Sequence, residues 1–227
     1  MPDPLPPTPN RPTWLPNALV WARLVLAGVF VWLVSSDPLA SDAALLAATA
    51  IFILAAITDW LDGKLARAWN CVSRFGRIMD SFADKILVLG AFVCLAGPAF
   101  ASQALDSEGL PSLKYQASGV YPWMVVLILG RELLITSLRG LVEGEGGDFS
   151  AIWAGKWKMI AQSIAIPLIL LVLAFAPWQP DTPGRWVIDI TAWTTLIVTV
   201  ASAIPYIQRA MAFKPSRPPS PTESPSP

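Results

Sequence analysis

Six stretches of apolar residues, at about 18–35, 43–61, 79–100, 121–140, 152–177 and 186–211, alternate with short polar or proline- and glycine-bearing connections. Each is close to the roughly 20 residues a helix needs to cross a hydrocarbon core of about 30 Å. No other backbone form satisfies its own hydrogen bonds inside lipid over so short a run, short of a closed barrel. The pattern predicts an all-α, polytopic membrane protein with six transmembrane helices. Trp14, Trp32, Trp60, Trp123, Trp178 and Trp186 fall near the ends of the runs, as an interfacial aromatic belt requires. Composition agrees: 54% of the 227 residues are hydrophobic, 14% are charged, and the net charge is zero. A neutral chain gives no electrostatic support to nucleic-acid binding.

The two ends are different. Seven prolines lie within residues 1–16 and six within 214–227, with few apolar residues to bury. Both read as disordered tails flanking a catalytic domain at 17–213. The amino end does not read as a signal peptide, because the proline-rich tail precedes the first apolar run. Lys and Arg are unevenly placed. Lys64, Arg67, Arg74 and Arg77 follow the second run, Arg139, Lys156 and Lys158 join the fourth to the fifth, and Arg209, Lys214 and Arg217 follow the sixth. The other side holds Lys114 and Arg185. The positive-inside rule then puts both termini on the cytoplasmic side of the inner membrane. The 101–120 loop becomes external, and its composition indicates no function.

The candidate chemistry sits between the second and third runs. Asp59 and Asp62 are three apart, and Asp80 and Asp84 four apart, so each pair shares one face of its helix. Ionisable groups at membrane depth are costly and mark a site. Four carboxylates facing each other repel unless cations lie between them, and hard oxygen donors select Mg²⁺ or Mn²⁺. Two such ions can clamp the attacking and leaving oxygens of a phosphoryl displacement. The chain has no histidine, which excludes His-based triads and His-ligated zinc and leaves a carboxylate as the available base. Cys71 and Cys94 are too few for a disulfide framework and read as packing residues. Gly63, Ala66 and Gly76 serve either helix packing or close approach of a ligand. Arg131 and Arg139, eight apart, lie on roughly one face of the fourth span, with Glu132 able to partner one of them. Lys158 fits either a snorkelling or a functional role.

Asp59, Asp62, Gly63, Ala66, Arg67, Gly76, Asp80 and Asp84 occupy every fixed position of D-x2-D-G-x2-A-R-x8-G-x3-D-x3-D. On that signature the chain resembles the CDP-alcohol phosphatidyltransferase family. Arg131-Glu132 with Arg139, Gly155-Lys156-x-Lys158 with Gln162, Pro16-Asn17 with Arg23, and Thr58 through Gly63 are similar to its phosphatidylglycerophosphate synthase branch. Ser81 departs from the proline usual there, and the loop Glu143–Asp148 is unusual for the branch. The resemblance implies that fold, two divalent ions on Asp59, Asp62, Asp80 and Asp84, and Asp84 as base. It implies that Asp62, Gly63, Ala66, Arg67 and Asn17 bind CDP-diacylglycerol. The acceptor would be sn-glycerol 3-phosphate, its phosphate met by Arg131, Arg139 and Lys156, and the enzyme a homodimer. The products would be phosphatidylglycerophosphate and CMP. A cardiolipin synthase of the same family is the alternative. A divalent-cation path would explain intramembrane carboxylates but not the fixed glycine and arginine. An aspartate-rich prenyltransferase fails on the same residues.

Overall fold

In the computed structural model of the chain, residues 14–36, 38–69, 74–105, 111–145 and 153–213 are described. Only the backbone is described at 14–17, 40, 60–69, 74–78, 80–81, 103–105 and 111–114. The tail at 214–227 and residues 1–13 of the other lie outside this set. Six long helices follow in order: α1 (Trp14–Ser35), α2 (Asp42–Trp69), α3 (Arg74–Leu95), α4 (Pro122–Gly144), α5 (Trp153–Phe175) and α6 (Pro183–Ala201). A short α7 (Ile204–Ala212) ends the described chain. α1 begins ahead of the expected boundary after Pro16. Proline is tolerated there because the first turn of a helix has no intrahelical use for its N–H groups.

Among the described residues, four stretches are long and apolar enough to cross a membrane: Ala18–Ser35, Asp42–Asp59, Trp153–Phe175 and Pro183–Ala212. α3 and α4 were also expected as spans. They have the length, but α3 carries Arg74, Arg77, Asp80, Asp84 and Lys85, and α4 carries Arg131, Glu132, Arg139 and Glu143. The last apolar run is not one helix. Pro205 has no N–H to donate and its ring crowds the carbonyl four residues back, so α6 stops at Ala201 and α7 starts at Ile204.

α1 packs on α2 and α3, α5 on α2 and α6, and α4 on α6 and α3. The core between them is lined by Phe30, Phe52, Phe92, Leu95, Ile128, Ile166 and Ile169. Phe30 and Phe52 meet at 5.7 Å in a tilted arrangement that joins α1 to α2. The outer faces stay apolar: Val126, Leu133, Ile164, Ile190 and Ile197 are exposed. Water would not tolerate such a continuous surface, whereas acyl chains solvate it. The protein is an integral membrane protein.

The expectation of an all-α chain is modified at one place. Ala101–Leu105 and Pro111–Gln116 pair as an antiparallel hairpin, β1 and β2, within the loop between α3 and α4. A polar clasp fixes it. Gln116 Nε2 donates to the Ala96 carbonyl at 2.6 Å, and Ser118 Oγ to the Leu95 carbonyl at 2.5 Å. Arg185 of α6 donates to the Gln116 carbonyl at 2.6 Å while gripping both carboxylate oxygens of Asp189. The open carbonyls at the end of α3 are thereby satisfied by side chains rather than by continued helix.

Candidate active site

The signature aspartates ride on two successive helices, as their spacing requires. α2 runs unbroken through Asp59, Asp62, Gly63, Ala66 and Arg67, and α3 carries Gly76, Asp80 and Asp84. The side chains of Asp62, Arg67, Asp80 and Asn17 lie outside the described residues. Those of Asp59 and Asp84 are described, and both are partly buried. Asp59 meets Arg23 of α1 at 2.7 Å, and the arginine side chain is wholly buried. A carboxylate facing it offsets the cost of burying a guanidinium there. α1 is therefore part of the site: it brings a fixed positive charge to the first aspartate of the motif.

Asp84 opens on a narrow crevice between α3, α4 and α5, which it lines with Lys85, Val88, Leu89, Glu132, Lys158, Met159 and Gln162. Glu132 is the hub of this crevice. Its Oε1 lies 3.0 Å from Arg131 Nη1 and 2.8 Å from Lys158 Nζ. Arg131 also donates from Nε to Ser202 Oγ at 3.1 Å, and its guanidinium lies over the Tyr206 ring at 5.6 Å. Lys85 donates to Thr136 Oγ1 at 2.8 Å, and Gln162 to Thr199 Oγ1 at 3.1 Å. The crevice is thus built on side chains from α3, α4, α5 and the α6–α7 corner.

The three cations expected to meet an acceptor phosphate are differently placed. Arg131 is buried. Arg139 is exposed and 4.0 Å from Glu143 on its own helix. Lys156 is exposed and lies over the Trp153 ring at 4.7 Å. Of the two lysines at the start of α5, the one that lines the crevice with Asp84 is Lys158. Sequence reasoning named Glu132 as a partner for one arginine, and the structure gives it two cations. It did not find Ser202 or Tyr206, which lie more than 70 positions from Arg131 and carry no motif.

The donor chemistry fits a hard divalent cation. Asp59 and Asp84 are carboxylates on successive helices, the hard oxygen donors that such a cation takes. No three metal-ligating side chains cluster among the described residues, a set that excludes Asp62 and Asp80.

The model of the CDP-alcohol phosphatidyltransferase family matches residues 13–204, almost the whole helical body. The chain belongs to this family. Several curated relatives of the phosphatidyltransferase are similar over most of their length. The CDP-diacylglycerol–glycerol-3-phosphate 3-phosphatidyltransferase of Bacillus subtilis is 30% identical over 213 residues, covering 86% of this chain and 94% of the relative. The protein of the same name from Shigella flexneri is 30% identical over 204 residues, covering 87% and 95%. A probable phosphatidylglycerophosphate synthase of Mycobacterium tuberculosis is 34% identical over 198 residues, covering 87% and 81%. As a family member the chain is a phosphatidyltransferase, an enzyme of phospholipid biosynthesis.

Proposed function

We propose that this phosphatidyltransferase moves the phosphatidyl group of CDP-diacylglycerol to sn-glycerol 3-phosphate, giving phosphatidylglycerophosphate and CMP. The observation that carries the reading is the shared crevice: Asp84 of the signature and the Glu132–Lys158 pair line one space. A base and a cation are thus together where an acceptor bearing both a hydroxyl and a phosphate must lie. The names of the relatives point to the same acceptor.

In this reading Asp84 takes the proton of the acceptor hydroxyl. The freed oxygen attacks the phosphorus that bears diacylglycerol, its bond to the CMP oxygen breaks, and CMP leaves with that electron pair. Asp59, Asp62, Asp80 and Asp84 would hold divalent metal, Mg²⁺ or Mn²⁺, two ions on the four-carboxylate count. Bound metal supplies charge neutralisation at the diphosphate. Arg67, with Asn17, Asp62, Gly63 and Ala66, receives the CDP portion; its planar fork suits diphosphate oxygens. Lys158, which lines the crevice, and Arg131, which pairs with the same Glu132, would meet the acceptor phosphate, with the exposed Arg139 and Lys156 adding positive charge. The acyl chains stay in the bilayer, and the site faces the cytoplasm with both termini. We further propose six spans, with α3 and α4 crossing despite their charges, and a homodimer.

CMP release by the purified protein from CDP-diacylglycerol, with glycerol 3-phosphate, phosphatidylglycerol, serine and inositol phosphate as rival acceptors, tests the assignment. Turnover is expected with glycerol 3-phosphate. Turnover with phosphatidylglycerol and none with glycerol 3-phosphate would replace this reading with a cardiolipin synthase.

A further inference from the structure

α7 has no part in the reaction as written, yet it reaches into the acceptor side of the site. Tyr206 is buried to within 2% of complete. One face of its ring supports the Arg131 guanidinium. Its hydroxyl end points toward α5. A Cβ built on Gly155 would stand 2.5 Å from Tyr206 Oη, but 3.5 Å from Cζ and 3.6 Å from Cε2. Only the hydroxyl oxygen is in conflict; the ring atoms would be in ordinary contact. Tyr206 therefore sits between Arg131 of α4 and Gly155 of α5.

The corner before α7 completes the grip. Ser202 Oγ accepts from Arg131 Nε and donates to the Thr199 carbonyl at 2.6 Å, which fixes the hydroxyl's direction. Glu132 takes Nη1. Arg131 is thus held at Nε, at Nη1 and on its face. Its Nη2 is buried with no hydrogen-bond partner. A buried guanidinium nitrogen left open is costly unless something anionic or polar arrives to meet it.

We propose that Tyr206 and Ser202 are positioning residues that hold Arg131 behind Glu132 with its buried, unpartnered Nη2 kept for the acceptor phosphate, and that residue 155 is glycine because the Tyr206 hydroxyl fills the space a side chain would need. The inference rests on the acceptor reading above. Its physical content is pre-organisation: an arginine fixed before the ligand arrives loses less freedom on binding.

Kinetics of the full-length protein in detergent micelles, with glycerol 3-phosphate and CDP-diacylglycerol varied separately, test it. Tyr206→Leu removes the ring face and should raise the acceptor KM roughly three- to thirtyfold, the span expected for losing a partly desolvated cation–π contact. The donor KM and kcat should stay within about twofold, since neither the donor pocket nor the base is touched. Tyr206→Phe keeps the ring and should raise the acceptor KM less than Tyr206→Leu. Gly155→Ala should raise it too. The double variant Gly155→Ala/Tyr206→Phe should bind acceptor better than Gly155→Ala alone, because the conflicting oxygen is gone. That pair decides the matter if Tyr206→Leu does not fold. An unchanged acceptor KM in Gly155→Ala, a parallel rise in both KM values, or a double variant no better than Gly155→Ala overturns the proposal. A wild type that releases CMP only with another acceptor overturns the substrate assignment instead, and the same KM comparisons are then judged with that acceptor.

Discussion

In the reading proposed above, Asp84 is the residue at which two demands meet, metal ligation from the signature and proton acceptance from the acceptor. Asp84→Asn keeps the size and one oxygen but removes the proton affinity. It is expected to lower kcat by about 10²- to 10⁴-fold, the usual contribution of a positioned base, with donor binding largely retained. Loss of donor affinity without loss of kcat would leave Asp84 as a ligand only. Chelation by EDTA should silence the wild type equally, and undiminished turnover in EDTA would remove metal from the reaction. These residues were legible because the signature is local: fixed spacing along two helices needs no knowledge of the fold. The partners of the site were not. Arg23 meets Asp59, and Ser202 and Tyr206 meet Arg131, across separations set by packing and not by any period in the chain. A buried polar group declares its partner only when the helices are assembled.

Among the elements, the six long helices follow from apolar runs whose length the bilayer dictates, and their ends shift by a few residues at prolines. The hairpin at 101–116 escaped because β1, Ala-Ser-Gln-Ala-Leu, does not alternate apolar with polar residues, and Ser112-Leu-Lys-Tyr-Gln116, which does, is one short run with no second run to pair with. The turn-forming cluster Asp106-Ser-Glu-Gly109 was a further hint. What holds the hairpin is the clasp to α6. Gly119 follows it with φ +67°, and a Cβ there would meet Ile188 Cγ2 at 2.7 Å. Gly119→Ala therefore adds both backbone strain and a clash, and should destabilise by about 1–3 kcal/mol. Arg185→Ala releases the Gln116 carbonyl and Asp189 together, at a similar cost of about 1–3 kcal/mol. Thermal unfolding in detergent should show both losses, while the KM values of the folded fraction stay near wild type. A variant that unfolds at the wild-type temperature would show the clasp to be ornamental.

At the scale of the molecule, charge and apolar surface are separated. Large apolar side chains lie exposed on the outer faces of the bundle, while Asp84, Lys85, Glu132 and Lys158 of α3, α4 and α5 gather at one crevice. The apolar window of α2 ends at Asp59, but the helix continues from Trp60 to Trp69, about 15 Å farther at 1.5 Å per residue. In the reading proposed above, the signature aspartates consequently straddle the boundary between acyl chains and water. Two substrates reaching that boundary obey different concentration scales. A donor confined to the sheet of lipid is counted per molecule of surrounding amphiphile, in two dimensions, whereas a water-soluble acceptor is counted per litre. Adding inert detergent at constant total donor should therefore slow the enzyme by surface dilution. Raising micelle and donor in proportion should leave the rate unchanged once the protein is fully inserted. The acceptor KM should not move in either titration. A rate that instead followed the bulk donor concentration, whatever its mole fraction in the micelle, would mean that the donor leaves the lipid phase before it reacts, and that the reach of α2 past Asp59 has no bearing on how the substrate arrives.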